Sequence, residues 1–147
     1  MIMRIEKVNE SSFADALKVY SISWKESHRT ICSAEFLENR DYAGYLRKKT
    51  GELYLATTEE TVGVFCLRGD DFSDLYIHPV HQGKGYGTAC LRYAMEHSSI
   101  LRLTVLSNNE PAIGLYLKMG FRFTGRDIAR RAGLTEREMI YRKEKVL

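Results

Sequence analysis

The sequence has no internal repeat, no low-complexity tract and no obvious linker, and its two prolines stand alone at Pro79 and Pro111. That leaves no Pro-rich or Gly/Ser-rich hinge between domains. Cysteine is nearly as rare. Cys32, Cys66 and Cys90 are an odd number, widely scattered, with no C-x-x-C pair. A disulfide framework or a cysteine zinc site is therefore not expected, and reduced thiols fit better. No uninterrupted apolar run approaches the roughly 18 residues that a membrane-spanning helix needs. The segment Met1-Ile-Met-Arg-Ile-Glu turns charged at once, so no signal peptide is expected and a cytoplasmic location is. A large excess of one charge is also missing. Lys and Arg number 22 against 19 Asp and Glu, a formal net charge of +3. So mild a balance does not predict nucleic-acid binding without a concentrated patch.

What remains is an ordinary globular composition, 44% hydrophobic and 28% charged in 147 residues. That length supports one domain with a real core, expected over residues 1–147. Residues 3–8 alternate like a strand. Ser11 or Ser12 can cap a helix bearing Phe13, Leu17, Tyr20 and Trp24 on one face. A second helix is expected from Ser33, with Phe36, Leu37, Tyr45 and Leu46 as its apolar positions. Residues 52–57 and 62–68 read as a hairpin around a polar turn at Glu59 and Glu60. A short strand, Asp74-Leu-Tyr-Ile-His, stops at Pro79. Cys90, Leu91, Ala94 and Met95 follow at helical spacing, and residues 100–106 form an apolar strand. Asn109 can cap a helix carrying Ala112, Leu115, Tyr116 and Met119, which Gly120 ends. Strands at 121–124 and 139–142 close the chain, with a polar, basic connection over 125–137. The result is a mixed α/β sheet of about seven strands with four helices, antiparallel at its start and with parallel crossovers later.

The segment between the strand at 74–78 and the next helix reads His-Pro-Val-His-Gln-Gly-Lys-Gly-Tyr-Gly-Thr, residues 78–88. A strand, then glycines, then a helix is a geometry for anions. The first helical turn presents unpaired N–H groups and partial positive charge. Glycine allows close approach and positive φ, and Lys84 adds a cation. The Walker pattern is absent, because no Ser or Thr follows Lys84. The dinucleotide pattern fails too, because its third glycine would fall at Thr88. On the glycines alone, a turn without a ligand stays open.

Two blocks carry a family resemblance. Gln82-Gly-Lys-Gly85-Tyr-Gly87 resembles the Q/R-x-x-G-x-G/A signature of the GCN5-related N-acetyltransferases, and the preceding Leu75-Tyr-Ile-His-Pro looks like that family's fourth strand. Asn109-Glu-Pro-Ala112-Ile-Gly-Leu115-Tyr116-Leu-Lys118-Met-Gly120-Phe121 is similar to the family's N-x-x-A-x-x-L-Y-x-K-x-G-F segment. Both occur in the expected order, each beside the expected strand.

The resemblance implies an acyl-CoA N-acyltransferase fold and acetyl-CoA as the acetyl donor, with no metal. It implies that Gln82 starts a loop whose amides, from Gly83, Lys84, Gly85, Tyr86, Gly87 and Thr88, grip the pyrophosphate. The pantetheine arm would pair with Leu75, Tyr76 and Ile77, in the slot that the family opens between its fourth and fifth strands. An N–H near Ile77 would polarise the thioester carbonyl. Leu75 and Ile77 side chains equally read as core. Tyr116 sits where the family places the proton donor for the leaving thiolate; without the motif it is a buried helix tyrosine. Asn109 matches the position that bonds the pantetheine backbone, or is a plain N-cap.

The base is less legible. Thr104 stands where some members carry a glutamate. Asp71 and Asp74 lie near the start of the fourth strand, where other members have an acid, and Asp74 is the candidate. Both also read as solvated turn residues, and water-relayed deprotonation needs neither. His78 and His81 are three apart, but no third ligand lies near in sequence to complete a metal site.

The acceptor, a small-molecule or peptide amine, is not encoded in either block. Trp24, His28, Tyr42 and Tyr45 are candidates for its pocket. Arg126, Arg130, Arg131 and Arg137 read as a solvated loop, as a contact for an acidic acceptor, or as extra grip on the CoA phosphates. Neither a nucleic acid nor a membrane is an expected partner, and the reading leaves room for a homodimer. The alternative function is a CoA-binding sensor or regulatory module without catalysis.

Overall fold

A computed structural model describes residues 2–129 and 133–144. The elements are β1 (Arg4–Lys7), α1 (Phe13–His28), α2 (Ala34–Asn39), α3 (Tyr42–Arg47), β2 (Leu53–Thr57), β3 (Thr61–Arg68), β4 (Asp71–Ile77), a 3-10 turn (Pro79–His81), α4 (Tyr86–Glu96), β5 (Ile100–Leu106), α5 (Glu110–Met119), β6 (Arg122–Ala129) and β7 (Thr135–Arg142). The strands are ordered β1-β2-β3-β4-β5-β7-β6 in a seven-stranded mixed sheet. The chain packs as two compact units, Met1–Leu67 with Asp74–Arg92, and Arg68–Ser73 with Tyr93–Leu147.

In the first unit β1, β2 and β3 pair antiparallel, as Leu55↔Val64 and Ile5↔Ala56 show. Val62 to Cys66 are buried without interruption, so β3 is covered on both faces. The core joins Phe13, Ala16, Val19 and Tyr20 of α1 to Tyr42 and Leu46 of α3 and to Leu53, Leu55 and Val64 of the hairpin. Each buried Val, Leu or Phe side chain there contributes about 1.5–3 kcal/mol by leaving water.

Two local expectations change here. The turn before α1 is closed by Asn9, whose Oδ1 accepts from the N–H groups of Ser11 and Ser12. Ser12 stands at the N-cap, but its Oγ accepts from Asn9 N–H instead of from the helix. The single helix expected from Ser33 is two. Ser33 caps α2, Arg40 is extended at φ −64° and ψ 135°, and Asp41 starts α3 by accepting from Gly44 N–H at 2.9 Å. An N-cap aspartate placed mid-pattern restarts the helix, and the described residues form five α-helices where four were expected.

In the second unit β5 pairs antiparallel with β7, and β7 with β6. Asp71 pairs in parallel register with Arg102 of β5. Leu101, Leu103 and Val105 are buried, while Arg102 and Thr104 take the other face, so β5 alternates instead of being apolar on both sides. Gly120 ends α5 at φ 105°, a left-handed cap that favours glycine.

The described residues of the polar stretch 125–137 are mostly strand. Charged residues that pair across β6 and β7 look like loop in sequence. Arg137 lies 3.6 Å from Asp127, its register partner, with its guanidinium 3.7 Å from the Phe123 ring centre. Arg126 pairs with Glu138 at 3.1 Å. Arg130 and Arg131 lie outside the described residues. Cys66 and Cys90 are buried and in no disulfide. Burial pushes the Cys90 thiol up to about 12, which keeps it protonated.

Glu138 is only 8% exposed. It accepts from Thr124 Oγ1 at 2.9 Å and lies 3.5 Å from Arg102. Glu138→Ala strands these donors and should cost about 1–3 kcal/mol. Arg126→Ala, at an exposed site, should cost under about 1 kcal/mol. Chemical denaturation of both variants measures the difference.

Candidate active site

Strand β4 and the segment after it build the site in the first unit. His78 N–H donates to Val62 O of β3 at 2.8 Å. Strand alternation therefore turns the N–H and C=O of Ile77 to the opposite edge. On that edge the Gln82 side-chain amide donates to Ile77 O at 3.0 Å, tying the loop's first residue to the strand's last. The side chains of Leu75 and Ile77 point toward α4, since a Cβ on Gly87 would meet Ile77 Cγ1 at 3.7 Å and Leu75 Cδ2 at 3.8 Å. Tyr76 points the other way and meets Tyr20 edge-on, ring centres 5.4 Å apart. Burial raises the Tyr76 phenol well above its ordinary value.

The loop itself is conformationally specified. Gly83 and Gly85 hold φ at 78° and 86°, and a Cβ at either would meet nothing within 4 Å. Backbone handedness, not space, calls for glycine there. Gly85 O accepts from Ala89 N–H at 3.0 Å, which opens the α4 ladder. The first-turn amides of Tyr86, Gly87 and Thr88 consequently lack intrahelical acceptors. Lys84 is exposed beside them. Unpaired amides at a helix start suit an anion, and the residues present fit a pyrophosphate.

Asp74 departs from the solvated-turn reading. Its side chain is 11% exposed and its backbone is left-handed at φ 54°. The Lys49 ammonium contacts Asp74 Oδ2, and Tyr45 OH donates to Asp74 Oδ1 at 3.1 Å. Burial alone would pull the Lys49 ammonium down, but hydrogen bonds to Asp74 and Tyr45 and the Asp74 charge raise it instead. Asp71 is exposed and lies on the strand, not in a turn. Lys49 carried no signal in the sequence, because its partner lies 25 residues away.

His78 and His81 do not converge on a shared ligand. His78 Nδ1 accepts from Val80 N–H at 3.2 Å, and His81 Nε2–H donates to Glu60 Oε1 at 2.6 Å. Among the described residues no three His, Cys, Asp or Glu side chains come together as a metal site, and no helix is long and apolar enough to cross a membrane.

The second unit holds Asn109 and Tyr116, two turns apart on α5. Asn109 is the N-cap, its Oδ1 accepting from Ala112 N–H at 3.3 Å. Tyr116 is half-buried, its ring 5.8 Å from Phe121. Burial raises its phenol above the ordinary value of 10.0, so it stays protonated at neutral pH. Thr104 is exposed on β5.

Residues 13–121 match the Acetyltransferase (GNAT) family. The chain belongs to the GNAT acetyltransferase family. It is 37% identical over 76 residues to the peptidyl-lysine N-acetyltransferase YjaB of Salmonella typhimurium, covering 50% of this chain and 52% of that protein. The chain thus spans about half the length of the curated relatives it matches. The solution structure of apo YjaB from Escherichia coli is similar at a TM-score of 0.72 and 24% identity, over 96% of this chain and 98% of that one. The PaiA N-acetyltransferase of Thermoplasma acidophilum, solved with coenzyme A, also gives 0.72, at 19% identity over 97% and 100%. These two likenesses establish the GNAT fold.

One glycine outside both GNAT blocks shapes the site. A Cβ on Gly63 of β3 would stand 2.6 Å from Ile77 Cδ1 and 3.1 Å from Tyr76 O. A glycine inside a strand signals such close approach. Gly63→Ala should therefore destabilise by about 1–3 kcal/mol through overpacking. Ile77→Val removes Cδ1, so the double variant should lose less than the sum of the two single changes. Denaturation of all four proteins measures the coupling; simple additivity would contradict the contact.

Proposed function

We propose that the chain is an acetyl-CoA-dependent N-acetyltransferase that modifies a primary amine of a small molecule or peptide by direct attack. The observation that carries this reading is the run from Ile77 to Thr88. There an edge-facing N–H, two positive-φ glycines and the bare first turn of α4 lie in sequence. The peptidyl-lysine activity in the name of YjaB and the coenzyme A bound to PaiA support it.

Acetyl-CoA would supply the activated acyl group. The amides from Gly83 to Thr88, with Lys84, hold its pyrophosphate, and Leu75, Tyr76 and Ile77 offer strand-like pairing to the pantetheine arm. Asn109 adds an amide to that arm. Ile77 N–H steadies negative charge on the carbonyl oxygen as the amine attacks. The amine must be neutral, against a reference pKa of about 10.4. Asp74 is committed to Lys49 and Tyr45. We assign it to fixing β4, and leave proton removal to water and backbone carbonyls. Tyr116 gives its proton to the departing sulfur, whose parent thiol has a pKa of roughly 8.5. Its part rests on its place in the second block and on its protonation state. A non-catalytic CoA-binding module differs from this reading in one observable, turnover.

Two experiments test the proposal. Calorimetry should show acetyl-CoA binding to the wild type and none to Gly85→Glu, which sets a carboxylate in the cradle. Wild-type protein that ignores acetyl-CoA at millimolar concentration would end the reading. For Tyr116→Phe, kcat should fall by roughly 10²-fold or more, with acetyl-CoA affinity little changed. Because the phenol is raised above 10.0, kcat of the wild type should show no alkaline loss from Tyr116 below about pH 10. A Phe variant with wild-type kcat returns Tyr116 to packing.

A further inference from the structure

The proposed reaction leaves one half-buried cation without a task. The guanidinium carbon of Arg40 lies 4.1 Å from the Trp24 ring centre, 4.8 Å from those of Tyr42 and Tyr45, and 5.5 Å from that of Tyr20. Its Nη2 donates to Tyr20 OH at 3.0 Å. Its Nη1 is buried and donates to no described residue. Ring faces attract a guanidinium, but they do not replace the acceptors that its planar fork of N–H groups needs.

The charge is also unmatched. Asp74, the carboxylate of this cluster, is held by Lys49. Lys25, over the Tyr42 ring, has Glu38 at 3.7 Å. Arg40 and Lys49 against Asp74 leave one positive charge in excess. His28, stacked on Trp24 with ring centres 3.7 Å apart, responds: burial first, and then the Arg40 charge, hold its imidazole below the ordinary value. The box adjoins β4, since Tyr20 meets Tyr76 and Tyr45 bonds Asp74. It therefore lies on the strand face opposite the one that Leu75 and Ile77 turn to α4.

We propose that Arg40 in this aromatic box is a carboxylate-recognition site. A planar guanidinium with unused donors and uncompensated charge matches a carboxylate bidentately. On the acetyltransferase reading, the acceptor is then an amine that also carries a carboxylate, either a free amino acid or a peptide with an acidic neighbour. Nη1 is buried and four rings surround the guanidinium, so on this proposal the carboxylate enters by displacing one of them. Trp24, half-buried and nearest to the guanidinium, is the ring that moves.

Trp24 is the single tryptophan of the chain, so its fluorescence reports on the box without acetyl-CoA and without turnover. The titrants are the common L-amino acids with their α-carboxamides, and capped peptides bearing a lysine beside a glutamate or a glutamine. At least one carboxylate ligand should shift Trp24 emission and bind roughly 10- to 100-fold tighter than its amide. The amino-acid and peptide arms separate the two sources. Arg40→Met should abolish that preference, and Arg40→Lys, a second variant that keeps the charge, should retain part of it. Circular-dichroism melting checks the fold of both. A wild type that does not distinguish carboxylate from amide overturns the proposal. So does a folded Arg40→Met that still distinguishes them, or inorganic phosphate binding as tightly as the best carboxylate. If acetyl-CoA does not bind, the acetyltransferase reading fails, and the carboxylate preference of Arg40 is still decided by this titration.

Discussion

The arrangement of β4 hangs on the contact between Lys49 and Asp74. Asp74 is the one described residue other than glycine with positive φ, a conformation that costs an L-residue roughly 1–2 kcal/mol. Aspartate tolerates it better than most, and the Lys49 ammonium with the Tyr45 hydroxyl holds the carboxylate that fixes it. Burial would lower the Lys49 ammonium, and its bonds to Asp74 and Tyr45 raise it instead. The twist at Asp74 then decides which way the next residues face: Leu75 and Ile77 toward α4, Tyr76 toward α1.

From that facing follow two electrostatic environments on the two sides of one strand. The α4 side offers backbone dipoles, with N–H groups freed by positive-φ glycines and a helix start. The α1 side offers aromatic faces around a guanidinium. Both favour anions, by different physics. Dipoles of backbone amides bind phosphate without regard to side-chain identity. The Arg40 box binds through a planar fork whose geometry discriminates among anions. A donor common to the GNAT family and an acceptor particular to one member would place these demands on a protein.

Local chemistry was legible in the sequence where it repeats along the chain. The glycine loop, the Asn109 cap, the Gly120 stop and the β2–β3 hairpin all rest on signals within a few residues, and the structure has them. The order of strands and helices followed from the same signals. What escaped was set by distant partners or by competing local signals. Asp41 splitting the expected helix is an N-cap hidden in an apolar pattern. The strands β6 and β7 extend into 125–137 because Asp127 and Arg137, and Thr124, Arg126 and Glu138, answer one another across the ladder. Read singly, those residues look like solvated loop. Lys49, Arg40 and Gly63 acquire their roles only from contacts across the fold. A glycine mid-strand was the one available clue among them.

The central claim is that the backbone from Ile77 to Thr88 is the acetyl-CoA cradle, and amide NMR reads that backbone directly. On titration with acetyl-CoA, the amide resonances of Ile77, Gly83, Gly85, Tyr86, Gly87 and Thr88 should move most in the first unit. Saturable shifts concentrated there are the predicted result. Saturable binding that leaves these amides unmoved would contradict the account.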